Sequence, residues 1–171
     1  KVKIAKFFKG ILPVQLVAFS TSSSAATLPV TLKQSTNEFG VSKSVANFVL
    51  PVGVTINMDG TSAYIAIAAV FIAQVFGISL GLGDQLVIVI MVVMASIGSP
   101  GIPGGSIVML IIVLNTLGLP EAGLALILGV DRPLDMLRTV VNVTGDTTVA
   151  AIVAKSEGEL NLEANGERME Q

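Results

Sequence analysis

The sequence predicts an all-α membrane protein in which two short helical hairpins alternate with two longer helices. Hydrophobic residues make up 52% of the 171 residues and charged residues 13%, whereas soluble domains carry about 25% charged residues. The stretch from Gln85 to Pro120 contains no Asp, Glu, Lys or Arg. Its centre, Ser96 to Gly105, is rich in Ser, Gly and Pro. The arms on either side are shorter than the roughly 20 residues that a spanning helix needs. We therefore expect a re-entrant hairpin, which enters the bilayer and leaves it on the same side.

Four elements are predicted in chain order, followed by a tail. They are a first re-entrant hairpin over about residues 1–33, a broken transmembrane helix over about 43–80, a second re-entrant hairpin over about 84–118 and a final transmembrane helix over about 121–154. Residues 1–154 are expected to form one domain, and residues 155–171 a polar cytoplasmic tail. Because the chain starts at Lys1 and is polytopic, we expect it to be the C-terminal part of a longer protein.

The first hairpin is predicted from an apolar stretch that hydroxyl residues interrupt. Ile11 to Pro29 is largely apolar, but Ser20 to Ser24 is a run of five hydroxyl side chains. Irregular backbone at membrane depth is tolerated only where it is buried in protein or lines a polar cavity. The hydroxyl run therefore predicts a hairpin tip at a site for a polar solute.

The first long helix is predicted to contain an unwound segment. Val45 to Leu80 is long enough to cross a bilayer, but Pro51, Gly53 and the polar pair Asn57 and Asp59 interrupt it. Hard cations prefer oxygen ligands, and an unwound helix frees backbone carbonyls. The segment therefore predicts a sodium site. The alternative is that it is only a kink in the helix.

Polar side chains lie on one face of the last predicted helix. They are Asp135, Arg138, Thr139, Asn142 and Asp146, at spacings that share a helical face over about 16 Å. Charged groups within a membrane span mark a path for substrate or ions. Arg138 can bind a carboxylate through its planar fork, and Asp135 suits an ammonium group. This pair predicts an acidic amino acid as ligand. The alternatives are a structural Asp135–Arg138 pair and a proton, instead of sodium, on Asp146.

The basic residues predict the orientation in the membrane. Eight of them fall on one side of the predicted topology: Lys1, Lys3, Lys6, Lys9, Lys33, Lys43, Lys155 and Arg168. The opposite loops carry Asp84 and Glu121 and no basic residue. The positive-inside rule then makes both ends cytoplasmic in a multi-pass protein of the cell membrane. The first hairpin would open inward and the second outward, as in an inverted repeat, with the two tips meeting near the midplane.

Composition excludes several function classes. Without Cys or His, the chain has no disulfide, no thiol nucleophile and no ordinary zinc site. A net charge of −2 without a basic stripe argues against a nucleic-acid partner. A channel would need a repeated pore motif, which is not evident. An intramembrane enzyme could use Asp59, Asp135 or Asp146, but Arg138 beside Asp135 suits binding better than acid catalysis. We expect no enzyme activity and no cofactor apart from coupling ions.

Four segments resemble the sodium-coupled glutamate/aspartate transporter family, the dicarboxylate/amino acid:cation symporters. They are Ser22 to Pro29, Asn57 to Thr61, Ser96 to Gly105, and Asp135 to Asp146. The resemblance covers nearly the whole chain and implies the C-terminal half of such a protein. It implies the core of an elevator-type transport domain, which moves against a scaffold domain from the missing N-terminal half. It also implies a homotrimer for the full-length protein.

The resemblance further implies a symporter that imports L-aspartate or L-glutamate with sodium. The implied substrate-binding residues are Ser23, Ser24, Thr61, Gly101, Asp135, Arg138, Thr139 and Asn142. The implied sodium ligands are Gly53, Asn57, Asn142 and Asp146 at one site, Thr55, Ser96, Ile97 and Ser99 at a second, and Asn57 and Asp59 at a third. The alternative is a proton-coupled dicarboxylate or glutamate symporter.

Overall fold

A computed structural model describes residues 4–98 and 101–161. The described residues form helices connected by short turns, which confirms the predicted all-α class. The elements are α1 (Ile4–Thr21), α2 (Ser24–Asn37), α3 (Lys43–Ile56), α4 (Asp59–Val75), α5 (Leu82–Gly98), α6 (Gly105–Thr116), a 3₁₀ turn (Glu121–Gly123) and α7 (Leu124–Ser156). The predicted sodium ligand Ser99 lies outside the described residues.

Helices α1 and α2 pack against each other and are separated by two serines. Ser22 has a left-handed backbone conformation, with φ of 51°. Ser23 caps α2, because its hydroxyl oxygen accepts a hydrogen bond from the backbone N–H of Ala26 at 3.1 Å. Helix α2 continues to Asn37, beyond the predicted end near residue 33, and the hydroxyl of Thr36 donates to the carbonyl of Leu32 within it.

The long broken helix is interrupted at a single point. Asn57 and Met58 leave the helical conformation between α3 and α4, with ψ of 70° and 55°. The sequence also predicted interruptions at Pro51 and Gly53, and those predictions are wrong because both residues lie inside α3. Proline removes only one helical hydrogen bond, and α3 continues through Pro51 despite this loss. Asp59 likewise belongs to the first turn of α4 rather than to the unwound segment.

Helices α5 and α6 form the second pair and pack against α4. They have 17 and 12 residues, fewer than the roughly 20 of a spanning helix. The chain enters α6 through Gly104, whose φ of 75° lies in the left-handed region that favours glycine.

Two apolar clusters fill the interior, and α7 runs between them. Fully buried Ile65, Ile72 and Leu114 belong to the cluster of α4, α5 and α6. Leu50 and Val143 belong to the cluster of α1, α3 and α7. Because α7 packs against α1, α2, α3 and α4, its side chains can reach the interruption between α1 and α2 and the one between α3 and α4.

One helical segment in the described part of the chain is long and apolar enough to cross a membrane. It is Lys43–Val75, taken across the break, with 33 residues and a mean hydropathy of 1.4. By length and composition alone, one such segment does not distinguish a membrane protein from a soluble one with a buried core helix. Helix α7 also has 33 residues, and it carries six charged side chains: Asp131, Arg132, Asp135, Arg138, Asp146 and Lys155.

The end of α7 is fastened to the loop between α2 and α3. We call residues 40–42 and 159–161 the C-terminal clasp. Its backbone contacts are an antiparallel bridge between Val41 and Leu160, a hydrogen bond from Ser42 N–H to Glu159 O of 3.1 Å and one from Asn161 N–H to Gly40 O of 2.8 Å. The predicted polar tail therefore begins with a segment that is held against the helices.

Gly40→Ala should weaken the clasp more than Gly158→Ala does. Both glycines have left-handed φ values, of 69° and 71°, where a side chain costs roughly 1–2 kcal/mol. A Cβ at Gly40 would also overlap the carbonyl oxygen of Asn161, whereas a Cβ at Gly158 meets nothing within 4 Å. Thermal unfolding of the intact protein in detergent, followed by circular dichroism, should show a larger loss for Gly40→Ala. Equal losses would contradict the clasp.

Candidate functional site

A row of buried polar residues on α7 forms the centre of the candidate site. Asp135, Arg138, Thr139, Asn142 and Asp146 are all exposed by 6% or less. The helical spacing of these residues in the sequence places them on one face, and that face packs against the interrupted helices. Buried polar groups are costly unless they find partners, so their contacts define the site.

Asn142 caps the broken helix from the outside. The first N–H groups of any helix lack a partner within it, and no side chain next to α4 in the chain caps it. The side-chain oxygen of Asn142 instead accepts from Gly60 N–H at 2.8 Å. Its NH₂ group donates to Thr61 Oγ1 and to Met58 Sδ, both at 3.2 Å. One amide on α7 therefore holds the break at Met58 and the first turn of α4.

Asp146 lies one helical turn further along α7, beside the same break. Its Oδ1 accepts a hydrogen bond of 3.0 Å from the side-chain amide of Asn57. The close approach depends on glycine: a Cβ at Gly53 would lie 2.6 Å from Asp146 Oδ1, and one at Gly145 would lie 2.7 Å from Asp59 Oδ2. These residues bring carboxylate, amide and backbone oxygens together, which is the ligand chemistry of a hard cation.

The described residues contain no group of three or more acidic, His or Cys side chains placed around a metal. A cation at Asp146 would therefore need amide and backbone oxygens as its other ligands. Such a mixed set with a single carboxylate suits a monovalent ion better than a divalent one, since fewer charges have to be balanced.

The two interrupted helical pairs touch through the carbonyl of Gly101. This oxygen accepts from the hydroxyl of Ser23 at 2.7 Å and from the N–H of Ala25 at 3.2 Å. Three residues further along, the N–H of Gly104 donates to Asp135 Oδ2 at 3.0 Å. We call the turn between α1 and α2, with the start of α2, the first tip, and the segment 101–104 the second tip. The second tip is thus held by the first tip on one side and by α7 on the other.

A small polar cavity remains between the tips and α7. Its volume is about 10 Å³, and its polar lining consists of Ser22, Ser24, Thr61, Ser106, Asp135, Thr139 and Asn142. A cavity of that size holds about one water molecule. The hydroxyls of Ser22 and Ser106 are buried and make no hydrogen bond to any described residue. Unpaired hydroxyls in a closed polar cavity are suited to meet a ligand.

Arg138 is held by three neighbouring side chains. Its Nε donates to Asp135 Oδ1 at 3.0 Å, and Nη1 and Nη2 both donate to Asp131 Oδ1 at 3.0 Å. The Tyr64 hydroxyl donates to the same Asp131 oxygen at 2.8 Å, and the Tyr64 ring centroid lies 4.0 Å from Arg138 Cζ. Sequence reasoning assigned no role to Asp131 or Tyr64. The seven-residue spacing from Arg138 could have indicated Asp131.

The remaining predicted residues lie at three helix ends. Thr55 is in the last turn of α3, and Ser96 and Ile97 are in the last turns of α5. The last carbonyls of a helix lack partners within it, and α3 packs against α5. Asp59 is exposed at the start of α4, next to the break but away from the small cavity.

Fold and site together define a class: an all-helical protein whose buried polar site lies where helices are interrupted, an arrangement typical of transporters with discontinuous helices. The Sodium:dicarboxylate symporter family matches the chain over residues 1–156. The chain belongs to this family. The resemblance inferred from the sequence motifs is therefore confirmed.

Three relatives illustrate the similarity. The chain is 50% identical to excitatory amino acid transporter 1 of Homo sapiens over 147 residues, which are 86% of this chain and 27% of that protein. It is 49% identical to human excitatory amino acid transporter 5 over 148 residues, 86% of the chain and 26% of that relative. It is 43% identical to the proton/sodium-glutamate symport protein of Bacillus subtilis (strain 168) over 160 residues, which are 94% of this chain and 37% of that protein. The chain thus spans between 26% and 37% of the length of these relatives.

Gly145→Ala should disturb the site, whereas Gly129→Ala on the same helix should not. A Cβ at Gly145 would lie 2.7 Å from Asn57 Nδ2 and from Asp59 Oδ2, but one at Gly129 meets nothing within 4 Å. Overpacking typically costs about 1–3 kcal/mol, while alanine favours a helix over glycine by roughly 0.5–1 kcal/mol. Circular dichroism of the intact protein should show a lower unfolding midpoint for Gly145→Ala only. Matching midpoints would argue against this close packing.

Proposed function

We propose that the chain forms the substrate-binding part of a secondary active symporter, which imports L-aspartate or L-glutamate together with sodium ions. The observation that carries the proposal is the buried, hydrogen-bonded pair of Asp135 and Arg138, of which Asp135 lines a polar cavity between two helical tips. The relatives named as excitatory amino acid transporters and as a glutamate symport protein support the same substrate class. These relatives are transporters, so the work of the site is binding rather than catalysis.

The proposed substrate-binding residues present one partner to each group of an acidic amino acid. Arg138 would bind the side-chain carboxylate through its guanidinium, and Asp135 would accept from the ammonium group. The proposed set is Ser23, Ser24, Thr61, Gly101, Asp135, Arg138, Thr139 and Asn142. The unpaired hydroxyls of Ser22 and Ser106 add two further donors on the cavity wall.

Substrate entry requires the tips to separate, because a cavity of about 10 Å³ cannot hold an amino acid. We propose that the segment around Gly101 moves as the outer gate. It would release its hydrogen bonds to Ser23 and Ala25 and the bond from Gly104 to Asp135. Closure over the substrate would then remake contacts between the two tips.

Sodium is proposed to bind beside the break in the long helix. Asp146, Asn57, Asn142 and the backbone at Gly53 would provide one site of oxygen ligands. Backbone carbonyls at the ends of α3 and α5, those of Thr55, Ser96 and Ile97, would contribute to a second site, with Ser99. Asn57 and Asp59 would contribute to a third. Sodium at these oxygens would couple ion binding to the shape of the substrate cavity.

The short apolar helices and the exposed apolar surface support a membrane arrangement. Leu82, Phe48 and Ile67 are exposed by 80%, 74% and 69%, which fits contact with lipid or with a further part of the protein. We propose that α1–α2 and α5–α6 are re-entrant hairpins, that both ends are cytoplasmic, and that residues 1–154 form part of an elevator-type transport domain. An N-terminal scaffold half would complete the protein, which would assemble as a homotrimer.

A second candidate is a proton-coupled symporter for glutamate or dicarboxylates. The relative from Bacillus subtilis is named a proton/sodium-glutamate symport protein, and this name favours the candidate. Asp146 would then carry a proton in place of binding sodium.

Uptake by the full-length protein tests the substrate and separates the two ions. Proteoliposomes should accumulate radiolabelled L-aspartate when an inward sodium gradient is imposed, and not with a proton gradient alone. Arg138→Ala should abolish saturable uptake, because the carboxylate loses its bidentate partner. Arg132→Ala is the matched control: its side chain is 59% exposed, and it should retain most of the uptake. Accumulation driven by protons alone, or of succinate in place of L-aspartate, would move the assignment to the second candidate.

Asp146→Asn should raise the sodium concentration that gives half-maximal uptake. The substitution keeps the shape of the side chain but removes the negative charge beside the proposed ion. A shift of about ten-fold or more is expected, which corresponds to about 1.4 kcal/mol. Asp84→Asn, in the exposed first turn of α5, should leave the sodium dependence unchanged. Similar sodium curves for the two variants would exclude Asp146 as a sodium ligand.

A further inference from the structure

The guanidinium of Arg138 is held on the side away from the closed polar cavity. Asp131 accepts from both Nη atoms, and the Tyr64 ring stacks on the guanidinium. Arg138 and Tyr64 line an apolar groove of about 660 Å³ between α4 and α7. Asp135, in contrast, lines the small cavity between the tips. The group proposed to receive the substrate carboxylate is thus bound by a carboxylate of the protein itself.

Charge balance at Arg138 favours this internal contact. Asp131 and Asp135 both bind the one guanidinium, and the side chains of all three residues are exposed by only 4% to 11%. Arg132 is the other cation near this cluster, but its Nη1 is 4.0 Å from Asp135 and its side chain is largely exposed. Two carboxylates therefore satisfy the arginine before any ligand arrives, and in a poorly hydrated site that attraction is weakly screened.

We propose that Asp131 is a specificity-determining residue that competes with the ligand's side-chain carboxylate for Arg138. This inference rests on the proposed function of the site. A ligand gains the Nη donors only by taking them from Asp131, so its own group must be a comparably strong acceptor. A carboxylate meets that requirement because charge-assisted hydrogen bonds are stronger than neutral ones. A side-chain amide is neutral, so the negative charge of Asp131 lowers the affinity for L-aspartate more than that for L-asparagine.

Tyr64 has two separable parts in this arrangement. Its ring supports the guanidinium by a cation–π contact, which does not depend on which carboxylate fills the Nη donors. Its hydroxyl donates to Asp131 Oδ1 and so shares the oxygen that binds the arginine. Loss of that hydroxyl leaves the guanidinium as the main partner of this oxygen, which strengthens the competition.

Competition and a purely structural role predict opposite changes in ligand affinity when Asp131 is removed or neutralised. If Asp131 only supported the fold or positioned Arg138, its removal would weaken binding of every ligand. If Asp131 competes, its neutralisation strengthens binding of acidic ligands, because a negative charge leaves the neighbourhood of a buried anion site. The ratio of L-aspartate to L-asparagine affinity is therefore the informative measurement, since general loosening moves both affinities together.

The test is calorimetric binding of L-aspartate and L-asparagine to the full-length protein in detergent with saturating sodium. Asp131→Asn, which is nearly isosteric, should raise the affinity for L-aspartate by about ten-fold, since ten-fold corresponds to only about 1.4 kcal/mol. The affinity ratio should rise with it. Asp131→Glu keeps the charge and should keep the ratio within about two-fold of the original, a margin of about 0.4 kcal/mol.

An unchanged or weaker affinity of folded Asp131→Asn for L-aspartate would overturn the competition. If this variant does not fold, Tyr64→Phe carries the test: it should lower the affinity for L-aspartate more than that for L-asparagine. Equal changes for both ligands would again overturn the inference. If the unmodified protein with sodium binds no L-aspartate, the proposed function itself fails. Binding by the unmodified protein without the predicted shift removes only the role of Asp131.

Discussion

The architecture depends on hydrogen bonds that α7 donates to and accepts from the break between α3 and α4. An interrupted helix leaves backbone groups without partners, and burying them unpaired is costly. Asn142 satisfies Gly60 and Thr61, and Asp146 satisfies Asn57. The break is stable only because a neighbouring helix supplies these partners. The same contacts fix the oxygens that the proposed sodium sites use, so fold and function share one set of bonds.

The charges on α7 follow a pattern that fits ion-coupled binding. Asp131 and Asp135 share a single arginine, while Asp146 has the neutral amide of Asn57 as its partner. The buried face therefore holds more negative than positive charge. Buried charges without counter-ions are unfavourable. Cations that bind with the substrate would restore the balance, which gives a physical reason for the proposed coupling to sodium.

Local sequence signals predicted the parts of the structure that depend on local geometry. The hydroxyl run located the interruption at Ser22 and Ser23, and helical spacing predicted the buried polar face of α7. Pro51 was expected to break α3, and this prediction is wrong. The helix continues because the packing of neighbouring helices overrides a single lost hydrogen bond. The contact of Tyr64 with Asp131 depends on how α4 is aligned with α7. Neither that alignment nor the C-terminal clasp has a periodic signature in the sequence.

Hydrogen bonds to the carbonyl of Gly101 connect the two tips. Ser23 and Ala25 from the first tip donate to this one oxygen of the second. Withdrawal of either tip breaks the same pair of hydrogen bonds, so these bonds resist movement of the first tip and of the second tip equally. In the proposed symporter they would therefore impose no direction on transport. The direction of net flux would be set by the concentrations of ions and solute on the two sides, and reversing those concentrations would run the same cycle backwards.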